Sequence, residues 1–174
     1  TTKAKYVTAT IKSSRGLLTA EVPAYTPWEA GRVDGDQEVW KLTRIGSASG
    51  GVVITVYKYS VRTDYVDDEG KVIGGDNIGA RMKQAFDAWK SQVDKVKKIA
   101  PNSGKVSKGI PAGRGFEVRG RDEDGDEFRA REWYWKGELH SNHVFNLTVL
   151  QTGGDLDRDA EVELFLESLR ETNG

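Results

Sequence analysis

The chain has 174 residues, 30% of them charged and 37% hydrophobic, with 26 basic against 27 acidic side chains for a net charge of −1. That balance excludes a disordered polyelectrolyte and a globally basic nucleic-acid binder, and the length suits one domain over residues 1–174. Zero cysteines exclude disulfides, thiol catalysis and cysteine-ligated metal centres.

The near-neutral total hides a split. Residues 1–137 carry 24 basic and 19 acidic groups, whereas residues 138–174 carry 2 basic and 8 acidic ones. No apolar run approaches the roughly 18–20 residues of a membrane-spanning helix, so no transmembrane segment is expected. The stretch Thr1 to Lys5 has no apolar signal segment, which fits either a cytosolic protein or a mature chain whose leader has been removed.

Two short alternating runs, Tyr6 to Ile11 and Leu17 to Val22, flank Lys12-Ser13-Ser14-Arg15-Gly16 and predict a hairpin. In the second run Leu18, Ala20 and Val22 share one face. Pro23 to Gly35, with Pro23, Pro27 and Gly31, reads as a loop pinned by Trp28. Glu38 to Ile45 and Val52 to Val61 are rich in β-branched and aromatic residues and predict a longer hairpin about the Gly46 to Gly51 connector. Asp64 to Asp76 is acidic and glycine-rich, a junction loop with room for a small strand at Lys71 to Ile73.

The period then changes. Behind Asn77 as N-cap, Ile78, Met82, Ala85, Phe86, Trp89, Val93 and Val96 recur at spacings of 3 and 4, predicting a long helix that Ile99, Ala100 and Pro101 end. Lys83, Asp87, Lys90, Asp94 and Lys97 form its solvated side.

Three more strands follow, Arg114 to Arg121, Glu127 to Trp135 and Leu139 to Gln151. Partners across the first two must face the same side. If paired numbers sum to 248, Val118 meets Ala130 and Gly120 meets Phe128 on the apolar side, while Arg121 meets Glu127 and Glu117 meets Arg131 on the other. A sum of 249 would set Arg121 against Phe128, so a connector that keeps the sum of 248, with Gly125 left-handed, is expected.

A last helix is expected from Asp157 to Glu171, buried through Val162, Phe165, Leu166 and Leu169, with Asp157, Asp159 and Glu161 at the positive end of its dipole. Grouped strands and helices argue for an α+β fold. The expected form is an α-β-α sandwich, an antiparallel sheet of six or seven strands carrying the long central helix and the C-terminal helix.

Motif chemistry supplies no catalyst. His140 and His143 have an H-x-x-H spacing beside Glu138, but in a strand an odd separation sends them to opposite faces, so no metal site is expected. The acidic runs at Asp122 to Glu127 and Asp64 to Glu69 lack the calcium-loop register and read as solvated turns. Gly46-Ser47-Ala48-Ser49-Gly50 misses the nucleophile elbow, and Gly113-Arg114-Gly115 is only a fragment of a phosphate loop. No cofactor is expected. The most distinctive composition is Arg114, Arg119, Arg121, Arg129 and Arg131 running into Trp133-Tyr134-Trp135. Arg119, Arg121, Arg129, Arg131, Trp133 and Trp135 are the candidate protein-binding surface, set against an ordinary ion-paired sheet in which Glu117, Glu127 and Glu132 neutralise the arginines and the tryptophans are core.

The element order, together with Leu18-Thr19-Ala20-Glu21-Val22-Pro23, Gly115-Phe116-Glu117-Val118, the aromatic strand Phe128 to Trp135 and Phe165-Leu166-Glu167-Ser168-Leu169, resembles the superfamily shared by the PsbP extrinsic subunit of photosystem II and the Ran-binding Mog protein. The resemblance implies an α-β-α sandwich and a non-enzymatic role, because such relatives act by binding. It implies an accessory or scaffolding protein that docks on a larger protein assembly, a membrane complex included, and favours an extracytoplasmic bacterial protein over a cytoplasmic one. The competing expectation is a small-ligand carrier with a pocket between sheet and helix, lined by Trp28, Trp40 and Tyr57.

Overall fold

The computed structural model describes residues 7–13, 16–24, 28–30, 38–44, 50–60, 65, 66, 68–73, 78–93, 95–99, 110, 113–121, 124–154, 156 and 159–173. Period-two alternation becomes strand. β1 (Thr8–Lys12) and β2 (Leu18–Pro23) form the expected first hairpin, in register from Thr8 with Pro23 to Lys12 with Thr19. β3 (Trp28–Ala30) pairs with β4 (Glu38–Arg44), so part of the expected Pro23 to Gly35 loop is strand. β5 (Gly51–Ser60) completes the second hairpin, while β6 (Tyr65–Val66) and β7 (Val72–Ile73) make a separate ribbon. Then come α1 (Ile78–Lys90), β8 (Lys95–Ile99), β9 (Arg114–Arg121), β10 (Glu127–Lys136), β11 (His143–Thr152), α2 (Ala160–Ser168) and β12 (Arg170–Glu171).

The α-β-α sandwich with a long central helix is not what the chain forms. The fold is mostly β, and its two helices in the described residues are short, 13 and 9 residues. Val96 and Ile99 continue the helical spacing, yet residues 95–99 form a strand paired with β9. Lys95-Val96-Lys97-Lys98-Ile99 suits either period, and the outer edge of β9 decides: its backbone N–H and C=O groups gain partners only if this segment is extended. α1 closes through Ser91 N–H to the Asp87 carbonyl and Gln92 and Val93 N–H to the Trp89 carbonyl. The terminal helix is shorter than expected for the same reason. After Ser168 the chain extends, and Arg170 and Glu171 pair with Thr19 and Leu18 of β2. The expected Asn77 cap, Asp157 and residues 46–49 of the connector lie outside the described residues.

The main sheet is antiparallel and seven-stranded, in the order β3-β4-β5-β11-β10-β9-β8; a three-stranded sheet has the order β1-β2-β12. The β9–β10 register follows the sum of 248, with Glu127 opposite Arg121, Phe128 opposite Gly120 and Ala130 opposite Val118. Gly125 in the connector has φ 82°, the left-handed conformation that a Cβ disfavours. One face of the main sheet packs Trp40, Leu42, Ile54, Val56, Leu147, Val149, Trp133 and Trp135 against Leu18, Ala20 and Val22 of the small sheet and Val162, Phe165, Leu166 and Leu169 around α2. The opposite face packs Phe116, Val118, Ala130, Tyr134 and Val144 against Ile78 and the half-buried Met82, Ala85, Phe86 and Trp89 of α1.

The first of these cores contains a buried ion pair. Arg44, the last residue of β4, has a side chain with 0% exposure, and Asp159, the N-cap of α2, one with 1%. Arg44 donates from Nη1 to Asp159 Oδ1 at 2.9 Å and from Nη2 to Oδ2 at 2.5 Å. Asp159 also accepts from Gln151 Nε2 at 2.8 Å and from the Val162 backbone N–H at 3.1 Å, while Arg44 reaches the Gly50 carbonyl at 2.9 Å. Each charge is thereby paired and further hydrogen-bonded, the condition for tolerating ions away from water. Asp159→Ala should cost about 3–5 kcal/mol in urea unfolding, since it strands a buried guanidinium. The double variant Arg44→Met with Asp159→Leu should recover most of that loss, and equal damage in both would contradict the pairing.

Candidate functional site

Because directly opposed residues share a face, the register assigns every side chain of the β9–β10 hairpin. Glu117, Arg119, Arg121, Glu127, Arg129, Arg131, Trp133 and Trp135 stand on the α2 side of the sheet, and Phe116, Val118, Gly120, Phe128, Ala130, Glu132 and Tyr134 on the α1 side. The six candidate residues thus lie on one face but at different depths. Trp133 and Trp135 are each 1% exposed; Trp135 stacks on Phe145 with ring centres 5.2 Å apart. They belong to the core, and the aromatic half of the expected surface is unavailable to a partner. Arg131 is buried as well. Arg119 and Arg121 have side chains 49% and 64% exposed, and Arg129 is half-buried.

The expected neutralisation is present in part. Arg121 lies 3.3 Å from Glu127 and donates to the Gly125 carbonyl at 2.9 Å, and Arg119 Nε lies 3.8 Å from Glu117. The same register, however, sets Arg119 directly opposite Arg129 and Lys95 of β8 opposite Arg119. Arg119 and Arg129 therefore form a short row of cations on adjacent strands, with Arg119 also ion-paired to Glu117. Beside this row Arg119, Gly120, Arg121, Glu127, Phe128, Arg129 and Gly154 line a half-open cleft of about 230 Å³.

A second polar cluster lies on the α1 side and escaped the sequence reading. Glu132 is 7% exposed at the centre of the sheet. Trp89 Nε1 of α1 donates to its Oε2, Tyr134 Oη donates to its Oε1 at 3.2 Å, and Asn146 Nδ2 and Thr148 Oγ1 approach the same oxygen at 3.5 Å. Arg81, two turns before Trp89 on the same stripe, lies over the Tyr59 ring at 4.1 Å. Burial raises the Tyr134 phenol far above its ordinary value, and the Glu132 carboxylate pushes it the same way. Tyr59 is raised by burial, against the opposing pull of Arg81. The only sequence signal for this cluster was a glutamate on the apolar side of the register, opposite Phe116. It anchors α1 to the sheet and contains a single carboxylate without a second acid or a nucleophile beside it among the described contacts.

His140 lies in the turn before β11, where its Nε2 is 2.7 Å from the Thr172 carbonyl, and His143 opens β11. Both rings meet the edge of Phe145. Among the described residues no group of three or more His, Asp or Glu could hold a metal ion. Nor is any helix among them long and apolar enough to cross a membrane. No known family and no curated protein matches the chain in sequence.

Two outcomes follow. Arg119→Ala removes the half-exposed ion pair with Glu117 and should cost no more than about 1 kcal/mol in urea unfolding; a loss of several kcal/mol would mean that Arg119 is part of the core rather than of the surface. The Tyr134 phenol keeps its proton in the folded state while the unfolded phenol ionises near pH 10.0. Its stabilising share is therefore whole below pH 10.0 and lost as pH rises above it. Tyr134→Phe should flatten the alkaline fall in melting temperature, and an unchanged slope would refute this assignment.

Proposed function

We propose that the protein is a non-enzymatic accessory or scaffolding protein that docks on an acidic surface of a larger assembly through the arginine-bearing face of β9 and β10. The observation that carries this reading is the facing of Arg119 and Arg129 on adjacent strands, with Arg119 and Arg121 exposed. Exposed cations gathered on one face steer and hold an anionic partner through complementary charge. The resemblance to the PsbP and Mog superfamily adds relatives that act by binding, and the charge of the face supplies the docking surface.

The small-ligand reading loses its lining. Trp40 pairs with Val56, and Tyr57 is the next residue along β5, so Trp40 and Tyr57 point to opposite faces of the sheet. Trp40 is 5% exposed and packs on Phe165 with ring centres 5.4 Å apart. The side chain of Trp28 lies outside the described residues.

The test is capture of a partner from native extract by the wild-type chain and by the double variant Arg119→Glu with Arg121→Glu, with Lys83→Glu on the exposed side of α1 as control. The wild-type and Lys83→Glu proteins should retain a partner that elutes with rising salt and that the double variant loses. A partner retained equally by all three would overturn this surface.

A further inference from the structure

The edge of a sheet leaves a row of backbone N–H and C=O groups open, and folded chains protect it by shortness, lysine, proline or bulges. Three of the four edge strands of the two larger sheets follow that practice. β12 has two residues and β3 three, and β8 carries lysine at three of its five positions, Lys95, Lys97 and Lys98. β1 is the exception. It ends the order β1-β2-β12, pairs with β2 alone among the described residues, and runs Thr8-Ala9-Thr10-Ile11-Lys12 without proline, glycine, acid or register shift. Just ahead of it Val7 is 78% exposed, the most exposed large hydrophobic residue among those described.

The ladder fixes what this edge offers. Ala24 N–H donates to the Val7 carbonyl at 2.7 Å and Ser13 N–H to the Leu18 carbonyl at 3.0 Å, so the odd-numbered residues of the segment address β2. Antiparallel bonds alternate along a strand, and the N–H and C=O groups of Thr8, Thr10 and Lys12 therefore point to the open side. Pro23, which has no N–H, accordingly lies opposite Thr8, where the ladder needs none. Side chains divide by the same parity. Val7, Ala9 and Ile11 share the face on which Ile11 packs against the core beneath α2, while Thr8, Thr10 and Lys12 are exposed on the other.

We infer that β1 pairs antiparallel with β1 of a second copy about a two-fold axis through Ala9, joining two three-stranded sheets into one continuous sheet. The strand is its own complement in that register. Thr8 meets Thr10 of the copy, each presenting the outward N–H and C=O that the other needs, and symmetry repeats the pair. Val7 meets Ile11 of the copy on the core-facing side, which covers the exposed valine, and the threonine pairs lie on the outer side. The axis keeps the same face inward in both copies, so a slip of one residue, which would set Ala9 against Thr10, is excluded. The two Lys12 side chains fall at opposite ends of the joint, and a net charge of −1 leaves little repulsion between whole molecules. A strand of another protein would have to match this pattern independently, whereas a copy carries it by symmetry.

None of these residues belongs to the arginine face, so the dimer and the docking reading stand or fall separately. Sedimentation equilibrium of the full chain between about 10 µM and 1 mM should show a monomer–dimer equilibrium, the weak affinity expected of a small interface. Amide exchange followed by NMR should slow at Thr8 and Thr10 as concentration rises and change far less at Ala9 and Ile11, whose amides face β2. Val7→Lys should weaken the dimer at least about tenfold by placing two charges in the joint, and Thr10→Pro, which removes an outward donor without costing a β1–β2 bond, should abolish it. Val66→Lys, the same change at an exposed valine of β6, should leave it intact. A chain that stays monomeric up to about 1 mM would overturn the inference and leave the edge to a strand of another protein. So would a dimer that both Val7→Lys and Thr10→Pro preserve, or one in which the Thr8 and Thr10 amides exchange as fast as in the monomer.

Discussion

The architecture depends on one buried ion pair. Arg44 ends β4 and Asp159 begins α2, 115 residues later, and the two meet through a pair of hydrogen bonds with both side chains out of water. Neither charge could remain inside alone, because the desolvation of an unpaired guanidinium or carboxylate exceeds what nearby packing returns. The pair therefore fixes where α2 starts. From Asp159 the helix runs Val162, Phe165 and Leu166 over Trp40 and its neighbours, and the chain then leaves as β12 to close the small sheet against β2. Gln151 ties the same carboxylate to β11, so three strand ends and a helix end share one anchor.

That anchor makes the covering of the sheet unequal. Over β4, β5 and β11 the face is sealed by α2 and the small sheet, and the residues beneath are apolar except for Arg44 and Gln151. Towards β9 the same face turns cationic, and exposure rises from buried Arg131 to half-buried Arg129 and exposed Arg119 and Arg121. The other face is organised differently, around Glu132, with α1 held by a ring of hydrogen bonds to that one carboxylate as well as by its apolar stripe. A single glutamate satisfied by tryptophan, tyrosine, asparagine and threonine donors behaves as a positioning element for a helix, whereas the arginine face has charge, exposure and a cleft together.

What could be read in advance follows from which signals are local. The β9–β10 register was legible because Arg121, Glu127, Gly120 and Phe128 allow only one parity to keep charge outside and apolar residues inside, and because Gly125 permits the turn. The end of α1 was not legible. Val96 and Ile99 fit a helical stripe and a strand equally, and the deciding influence is the edge of β9, distant in sequence. Trp133 and Trp135 looked like surface aromatics because composition does not say which half of a face will be covered; that is decided by α2, which arrives last in the chain. Arg44 carried no signal at all, since a charged residue at a strand end is ordinary until its partner is known. The arginine site was half legible: the residues were visible and the opposition of Arg119 to Arg129 is contained in the sum of 248, but the depth of each depends on how far α2 and the small sheet reach over that face.

The unequal covering of the sheet is the claim from which both the stability and the docking arguments descend, and arginine accessibility tests it directly. Brief treatment of the native protein with phenylglyoxal, followed by mapping of the modified residues by mass spectrometry, ranks each guanidinium by exposure. Arg119 and Arg121 should be modified first, Arg129 later, and Arg44 and Arg131 only after unfolding in urea. Modification of Arg44 in the native protein as fast as Arg121, or protection of Arg119 and Arg121 equal to that of Arg44, would contradict the account.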